Sequence, residues 1–198
     1  MNVSNYQKQK IKSLKVHDKD EAFDLGIIIR NQKNERIGKL VPIGVWALRD
    51  DVILKEFPKW RQLFMSYFLV QFQASTDSTE RYLTHYAVAK EDRILFAIYY
   101  QNEDLIGHVG YCNISENNVE LDNMIRGKSG GGADFMYFVE KTILNWAFDI
   151  LKVRSITAKV LSKNFHALGL HQQFGFQLIE SYPLKKENND NFVELIKC

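Results

Sequence analysis

Residues 119–151 read VELDNMIRGKSGGGADFMYFVEKTILNWAFDIL, and three successive patterns in this stretch indicate the fold. Hydrophobic residues alternate with polar ones over residues 119–125, which predicts a strand with two chemically different faces. Residues 134–151 carry hydrophobic side chains at helical spacing, which predicts an amphipathic helix packed against a sheet. Asp134 suits the first turn of that helix, because an acid is favoured there. We therefore predict a strand, a glycine-rich loop and a helix.

The alternation along the strand predicts which side chains face the core. The apolar face holds Val119, Leu121 and Ile125. The opposite face holds Glu120, Asp122 and Met124. We expect the two acids to lie side by side, outside the hydrophobic core.

The loop of residues 126–133 combines four glycines with two cations, Arg126 and Lys128. Because glycine lacks a Cβ, its backbone N–H group can approach a ligand closely, and the N-terminus of the following helix favours negative charge. This pattern predicts a phosphate-binding loop. Its residue order matches neither the P-loop nor the GxGxxG motif of dinucleotide-binding folds. A polar loop that only connects a strand to a helix is the alternative.

The composition limits the class of protein. A chain of 198 residues, 45% hydrophobic and 25% charged, is typical of one soluble globular domain. A net charge of +2 without a long basic run argues against nucleic-acid binding. Cys112 and Cys198 form no disulfide framework and no metal-binding spacing. With no signal-peptide pattern and no run of about 18 apolar residues, we expect a cytoplasmic protein that does not insert into membranes.

The pattern along the chain predicts one domain with a polar N-terminal extension. We interpret residues 1–38 as that extension, of unknown role, and residues 39–198 as the domain. Pro58 is expected to interrupt the first helical segment, because proline lacks a backbone N–H. Three short hydrophobic runs between residues 94 and 125, joined by polar turns, predict an antiparallel meander.

The chain after the long helix predicts a crossover and a closing hairpin. Residues 153–162 are expected to form a strand parallel to the strand before that helix. Another helix should follow, with Asn164 at its N-cap and Gly175 just past its end. Residues 176–184 and 191–198 are expected to pair as the closing hairpin.

The second half of the chain resembles the GCN5-related N-acetyltransferase (GNAT) superfamily, and its C-terminal spacing is the more specific part. Many members have Asn, then Ala three residues later, Tyr seven later, and Gly-Phe eleven and twelve later. This chain has the same spacing in Asn164, Ala167, His171, Gly175 and Phe176, with histidine at the tyrosine position.

The glycine loop matches the family pattern, Gln/Arg-x-x-Gly-x-Gly/Ala, in two alternative registers. Gly127, Gly130 and Gly132 keep the spacing but place glycine at the basic position. Arg126 restores the basic residue but requires one inserted residue before Gly130.

The resemblance implies an α/β (mixed α+β) single domain, with a central mixed, mostly antiparallel sheet, two splayed parallel strands and flanking helices. It also implies that acetyl-CoA, the acyl donor, binds between the two parallel strands with its pyrophosphate at the glycine loop, without a metal. The expected cofactor-binding residues are Asn123, Met124, Ile125, Arg126, Gly127, Lys128, Ser129, Gly130, Gly131, Gly132, Ala133 and Asn164.

The implied reaction needs a base, because an amine attacks a thioester only as the free base. Amines with a pKa of about 9–10 are mostly protonated at pH 7. Asp122 is the preferred base and Glu120, on the same face, is the second candidate. His108 on the neighbouring strand could extend a relay, and His171 could protonate the departing thiolate in place of the family's tyrosine. Salt bridges and structural histidines are the alternatives for these four residues.

The acceptor site of the family is built from its early helices. Candidate substrate-binding residues here are Trp46, Arg49, Trp60 and Arg61, of which the last two resemble a Trp-Arg pair in many members. Aromatic and basic residues without an acid over residues 59–73 favour an amino sugar, free or linked to a nucleotide, over a polyamine. Packing in the core is the alternative for most of the aromatic residues.

Other acceptors and partners stay open from the sequence alone. A small-molecule amine is the expected partner, as in acetyltransferases of bacterial surface-sugar pathways. A protein N-terminal or ribosomal-protein acetyltransferase and a non-catalytic acyl-CoA-binding domain are the alternatives. The oligomeric state, a homodimer among the options, is not fixed by the sequence.

Overall fold

The computed structural model describes residues 3–101, 104–189 and 192–197. The helices are α1 (Asn5–Ser13), α2 (Lys19–Asp24), α3 (Asp51–Leu63), α4 (Thr76–Tyr82), α5 (Phe135–Trp146) and α6 (Phe165–Gln173). The strands are β1 (Ile27–Arg30), β2 (Arg36–Pro42), β3 (Val70–Phe72), β4 (Ile94–Tyr100), β5 (Asp104–Cys112), β6 (Asn118–Arg126), β7 (Ser155–Ala158), β8 (Leu184–Asn189) and β9 (Phe192–Lys197). Short 3₁₀ turns lie at Val45–Arg49 and Met65–Tyr67, and π-helical turns at Leu83–Val88 and Ala147–Leu151.

Within the described ranges, the strands form two sheets. The larger has six strands in the order β1-β2-β4-β5-β6-β7, and the smaller has the order β3-β9-β8. In the larger sheet the neighbouring strands are antiparallel, except that β6 and β7 are parallel and are connected through α5. The predicted meander, crossover and mixed, mostly antiparallel sheet are therefore confirmed.

Helices cover both faces of the larger sheet. On one face, Phe135 and Ile143 of α5 pack with Val119 and Leu121 of β6 in the larger hydrophobic cluster. On the other face, α3 and the π-helical turn after α4 pack in a second cluster. The sheet is thus buried on both sides, and the groove described below opens at one end of it.

A β-bulge at Asn123 divides β6 into two halves. Gly110 of β5 pairs with Asp122, but His108 pairs with Ile125, so β6 holds one extra residue between these pairs. Asn123 takes a left-handed conformation, with φ of 52°. Bulges of this kind reverse the alternation of side chains beyond them.

The predicted faces of β6 are therefore wrong beyond the bulge. Val119 and Leu121 pack on the α5 side, as expected, but Ile125 packs in the cluster on the α3 side. Met124 packs against the α5-side cluster instead of sharing the face of the two acids.

The predicted break at Pro58 is also wrong, because α3 continues through it to Leu63. Ile53, Phe57 and Trp60 of this helix are buried against the sheet. Burial of each of these three side chains stabilises the fold by on the order of 1.5–3 kcal/mol. The three contributions together exceed the roughly 3 kcal/mol cost of a proline inside a helix.

The described residues of the predicted N-terminal extension pack on the same sheet. Ile11 of α1 lies in the larger hydrophobic cluster, and β1 is the edge strand beside β2. The buried amide of Gln7 donates to the carbonyl oxygens of Ser115 and Leu151, at 2.9 and 3.1 Å. These contacts anchor the N-terminal helix to the core, and the boundary at residue 38 stays a prediction.

The closing hairpin forms, but its first strand lies later than predicted. β8 begins at Leu184, directly after Pro183, and pairs with β9. Proline has no N–H to donate to a ladder, so pairing starts only beyond it. Residues 190, 191 and 198 of the predicted hairpin lie outside the described residues.

Candidate functional site

A groove opens where the two parallel strands separate. β6 and β7 pair from Asn118 with Ser155 to Leu121 with Ala158, and no pairing between them follows among the described residues. The groove beyond this point has a volume of about 1190 Å³ and is lined by residues of β6, β7, α3, α4 and α6. On the side away from β5, the strand segment of residues 122–126 therefore borders a cavity instead of a neighbouring strand.

The bulge is held in place by His108. The ring nitrogen Nδ1 of His108 lies 2.6 Å from the carbonyl oxygen of Asn123, so this nitrogen carries the proton and donates. The ring lies 4.5 Å, centroid to centroid, from Phe57. Burial lowers the pKa of His108 to about 4, which keeps the imidazole neutral at pH 7. His108 therefore lines the groove as a neutral ring whose Nδ1 donates to the carbonyl oxygen of Asn123.

Asp122 lies in a hydrogen-bonded network on the groove wall. Its Oδ2 accepts from Arg93 at 3.1 Å and from the side-chain amide of Asn123 at 2.7 Å. The hydroxyl oxygen of Tyr82 accepts from the same two groups, at 3.3 and 3.0 Å. Burial, together with the charge of Asp122, raises the pKa of Tyr82 to about 12, so the phenol stays protonated. Cys112 also lines the groove, and burial raises the pKa of its thiol to about 12.

Glu120 shares the groove wall with Asp122 but has separate partners. Its Oε2 accepts from Lys159 at 2.8 Å and from Asn113 at 2.9 Å. The hydrogen bond to Glu120 raises the pKa of Lys159. The two acids therefore lie on one face, as the strand pattern predicted, and each is paired with a cation.

The first half of the glycine loop packs against the fold. The backbone N–H groups of Gly127 and Lys128 both donate to the carbonyl oxygen of Ile106, at 2.7 and 3.0 Å. A Cβ on Gly127 would lie 1.9 Å from the indole of Trp60, so only glycine fits beneath this ring. Lys128 pairs with Glu56 at 3.3 Å. This half of the loop is committed to intramolecular contacts.

The second half of the loop is suited to an anion. Arg126 donates to the carbonyl oxygen of Gly130 at 2.6 Å, while Ser129 is exposed. Gly131 and Gly132 have φ of +77° and +78°, a conformation that favours glycine. In the described part of the chain, the N–H groups of residues 130–133 donate to no backbone carbonyl. They precede α5, whose N-terminus favours negative charge.

These features fit the acetyl-CoA that the resemblance implies. The unpaired edge of β6 at Asn123, Met124 and Ile125 could take an extended chain, and the N–H groups of residues 130–133 could hold the pyrophosphate. Asn164 caps α6 by accepting from the N–H of Ala167 at 3.3 Å, and it lines the same groove.

His171 is brought to the groove by α6. It is buried, lines the groove, and its Nδ1 lies 2.7 Å from Oε1 of Glu140 on α5. The four predicted catalytic residues thus all line one cavity, but each has its own partner.

The predicted substrate-binding residues are separated by the fold. Arg61 lines the groove, and its guanidinium carbon lies 3.5 Å from the ring centroid of Phe68. Trp60 is buried beside the glycine loop, and Trp46 is buried with its indole N–H donating to the carbonyl oxygen of Pro42 at 3.0 Å. Neither tryptophan lines the groove, nor does Arg49, which is exposed. The two tryptophans pack in the core instead.

Three residues of the site carried no recognisable sequence signal. Tyr82 and Glu140 lie in helices with ordinary patterns, and Arg93 lies directly before β4. Tyr82 and Arg93 contact β6 from segments distant in the chain. Of the signals available, only the position of Arg93 directly before a buried strand could have marked it.

Two further features of the described residues concern metals and membranes. No cluster of three or more His, Cys, Asp or Glu side chains placed to hold a metal ion occurs among the described residues. None of the described helices is both long and apolar enough to cross a lipid bilayer.

Comparisons with known proteins agree on the fold and the family. Residues 46–177 match the model of the acetyltransferase (GNAT) domain family. A comparison of the sequence with curated proteins finds no match. Among solved structures, the Campylobacter jejuni N-acetyltransferase PseH in complex with acetyl coenzyme A has a TM-score of 0.56 at 20% identity, covering 81% of this chain and 99% of that one.

Two further solved structures are similar. A probable GNAT-family acetyltransferase from Chromobacterium violaceum has a TM-score of 0.65 at 17% identity, over 84% of this chain and 82% of that one. Spermidine N-acetyltransferase from Vibrio cholerae, in complex with CoA and spermine, has a TM-score of 0.59 at 20% identity, over 74% of this chain and 88% of that one. The chain belongs to the GNAT family of acetyl-CoA-dependent N-acetyltransferases.

Proposed function

We propose that this acetyltransferase acts on the primary amine of an amino sugar, with a nucleotide-linked amino sugar as the preferred form. The observation that carries the proposal is the chemistry of the acceptor side of the groove. The guanidinium carbon of Arg61 lies over the ring of Phe68, 3.5 Å from its centroid, and 5.4 Å from the ring centroid of Phe72. A guanidinium held flat on aromatic rings is suited to phosphate or sugar recognition.

Arg61 has capacity left for a ligand. One terminal nitrogen donates to the carbonyl oxygen of Val70 at 2.9 Å, and its Nε is buried without a hydrogen-bond partner among the described residues. Burial lowers the pKa of Arg61 to about 10, so the group is still charged at pH 7. The charge of Asp122 opposes this effect of burial, and an anionic acceptor would add a second negative charge beside the guanidinium.

The two acids that β6 places on the groove wall favour the same class of acceptor. Asp122 is paired with Arg93, and Glu120 with Lys159. A polyamine carries several positive charges and needs carboxylates that are not already paired. The similarity to a spermidine N-acetyltransferase makes a polyamine the second candidate, since that structure holds spermine. The paired acids here argue against it.

The groove residues also suggest how the amine is prepared for attack. Acetyl-CoA, when bound, supplies the acetyl thioester. Arg93 and Asn123 hold Asp122 through Oδ2, and Oδ1 keeps the capacity to accept a proton from the acceptor ammonium, directly or through water. Glu120 is the second candidate for this role. His108, neutral and committed to the bulge, positions the strand instead of exchanging protons.

An acceptor panel tests the proposal. Release of free thiol from acetyl-CoA would be followed with a nucleoside-diphosphate-linked amino hexose, the same amino hexose unlinked, spermidine, and a peptide with a free N-terminus. The linked sugar should give the highest kcat/KM and the unlinked sugar a lower one. Highest activity with spermidine or with the peptide would overturn the amino-sugar assignment. Binding of CoA without turnover of any amine would favour a non-catalytic acyl-CoA-binding domain.

A further inference from the structure

Glu140 is the most deeply buried acid among the described residues, and its surroundings are apolar. It lies on α5, has no exposed surface, and is flanked along the helix by the buried residues Val139 and Ile143. The helix here packs against the sheet, where the hydrophobic pattern calls for an apolar side chain. A carboxyl group in such a position is costly unless a partner compensates for it.

The partner that compensates Glu140 is His171. Oε1 of Glu140 lies 2.7 Å from Nδ1 of His171, whereas Oε2 is buried with no hydrogen-bond partner among the described residues. Because a carboxylate can only accept, Nδ1 carries the proton of this bond. The ring is held in one orientation by this bond and by Phe176, whose centroid lies 5.2 Å away.

The negative charge of Glu140 affects the pKa of Tyr111. Tyr111 on β5 donates its hydroxyl to the carbonyl oxygen of Ile143 at 2.9 Å. Burial first, and then the charge of Glu140, raise the pKa of Tyr111 well above its ordinary value. Tyr111 therefore stays neutral, and His171 is the group that can supply positive charge to the carboxylate.

The orientation of His171 leaves its second nitrogen for the groove. Nδ1 is occupied by Glu140, and His171 is one of the residues that line the cavity. Nε2 is therefore the nitrogen available to a bound molecule. A histidine whose other nitrogen is fixed by a carboxylate has a defined tautomer and a stabilised cationic form.

We propose that Glu140 is a positioning residue that holds His171 as an imidazolium, so that this pair supplies the proton for the departing thiolate. The pair would occupy the position where the family's tyrosine usually stands. The inference rests on acetyl transfer from acetyl-CoA but not on the identity of the acceptor.

The step balances in atoms and charge. As the new carbon–nitrogen bond forms, the thioester carbon–sulfur bond breaks and its electron pair stays on sulfur. Nε2 of His171 gives its proton to that sulfur, and the neutral ring keeps the Nδ1 proton bonded to Glu140. The acceptor ammonium loses two of its three protons, one to the base and one to water, and His171 takes one proton back from water in the groove. The net release is one proton per turnover.

Nitrogen-15 NMR of the histidine rings in the free protein tests the pair without any turnover. At pH 7 both nitrogens of His171 should carry protons. In Glu140→Gln, which keeps the shape, Nε2 of His171 should lose its proton. His108 is the internal control, because its Nδ1 donates to the Asn123 carbonyl and should be unchanged. A His171 ring that is neutral in both proteins, or charged in both, would overturn the proposal.

Kinetic measurements in the wild-type and His171→Tyr backgrounds distinguish positioning of His171 by Glu140 from a purely structural role. Glu140→Gln should lower kcat at least tenfold while calorimetric CoA affinity changes less than twofold. In a His171→Tyr background, where a phenol supplies the proton, adding Glu140→Gln should cost less than twofold. Equal losses in both backgrounds would mean that Glu140 only stabilises the fold. If Glu140→Gln fails to fold, Glu140→Met, which fills the same apolar space, replaces it in both comparisons.

Discussion

Oδ2 of Asp122 lies 3.1 Å from a guanidinium nitrogen of Arg93, and this ion pair crosses from the start of β4 to the end of the paired part of β6. Both side chains are partly exposed to the groove. The pair therefore fixes a carboxylate at the point where the two parallel strands separate, beside the groove proposed to hold acetyl-CoA.

Replacing Asp122 with Asn should separate binding from turnover. The amide keeps the size of the carboxylate but cannot take a proton, and loss of a general base typically costs roughly 10²–10⁴-fold in rate. We expect kcat to fall by that factor while the CoA dissociation constant, measured by calorimetry, changes little. Glu120→Gln is the matched control on the same strand face and should lose less than tenfold. If the control is the more damaged variant, Glu120 is the base.

The glycine loop gives a prediction with a matched pair of glycines. Gly132 and Gly169 both have open space around an added Cβ, but only Gly132 has a positive φ. Gly132→Ala should therefore lose about 1–2 kcal/mol of folding free energy through backbone strain and weaken CoA binding. Gly169→Ala, inside α6, should gain up to roughly 1 kcal/mol. Urea unfolding and CoA titration measure both. Unchanged CoA affinity in Gly132→Ala would place the phosphates elsewhere.

The sequence predicted the strand, loop and long helix because their signals are local. Alternation and helical spacing are visible within one stretch, and the C-terminal helix has its cap residue, Asn164, and its terminal glycine at the expected positions. The bulge at Asn123 could not be predicted this way. It depends on the register with β5, and its hydrogen bond to His108 joins residues of two different strands.

The sequence predicted several residues that line the groove but not the side chains that pair with them. Asp122 and Glu120 were found because they share a face of β6, whereas their partners Arg93 and Lys159 come from other elements. Trp46 and Arg49 were expected at the acceptor site because aromatic and basic residues suit it. An aromatic residue gives the same pattern when it packs in the core, as Trp46 of the first 3₁₀ turn does.

His108 predicts how stability depends on pH. Burial lowers its pKa from 6.5 to about 4, against the opposing effect of the Asn123 carbonyl, and Arg61 lowers it further. Between these values the unfolded chain binds a proton that the folded chain does not, so folding stability falls as pH falls from 6.5 towards 4. The full effect is on the order of 3 kcal/mol. It is present above pH 6.5.

Urea unfolding at pH 7.5 and at pH 5 measures this dependence. His108→Asn should be less stable than the wild type at pH 7.5, but should lose clearly less stability between the two pH values. His17→Asn, which removes an exposed histidine, is the control and should follow the wild type. An unchanged pH dependence in His108→Asn would show that other groups cause it.

The last prediction concerns the role of Arg61 in the choice of acceptor. Its guanidinium lies over the ring of Phe68 and the residue lines the groove, so it should contact an anionic part of the acceptor. Lysine keeps the charge but not the planar fork or the stacking. Arg61→Lys should raise KM for a nucleoside-diphosphate-linked amino sugar by roughly tenfold or more, since a charge-assisted hydrogen bond contributes about 1.5–3 kcal/mol.

The same substitution should leave KM for the unlinked amino sugar within about twofold, because that acceptor has no phosphate for the guanidinium to bind. Arg49→Lys is the control, since Arg49 is exposed and does not line the groove. Steady-state thiol release with both acceptors gives the two KM values for each variant. An equal rise for the linked and unlinked sugars would show that Arg61 shapes the groove without binding phosphate. No rise with either would remove Arg61 from the acceptor site and leave Phe68 and Phe72 to recognise the sugar.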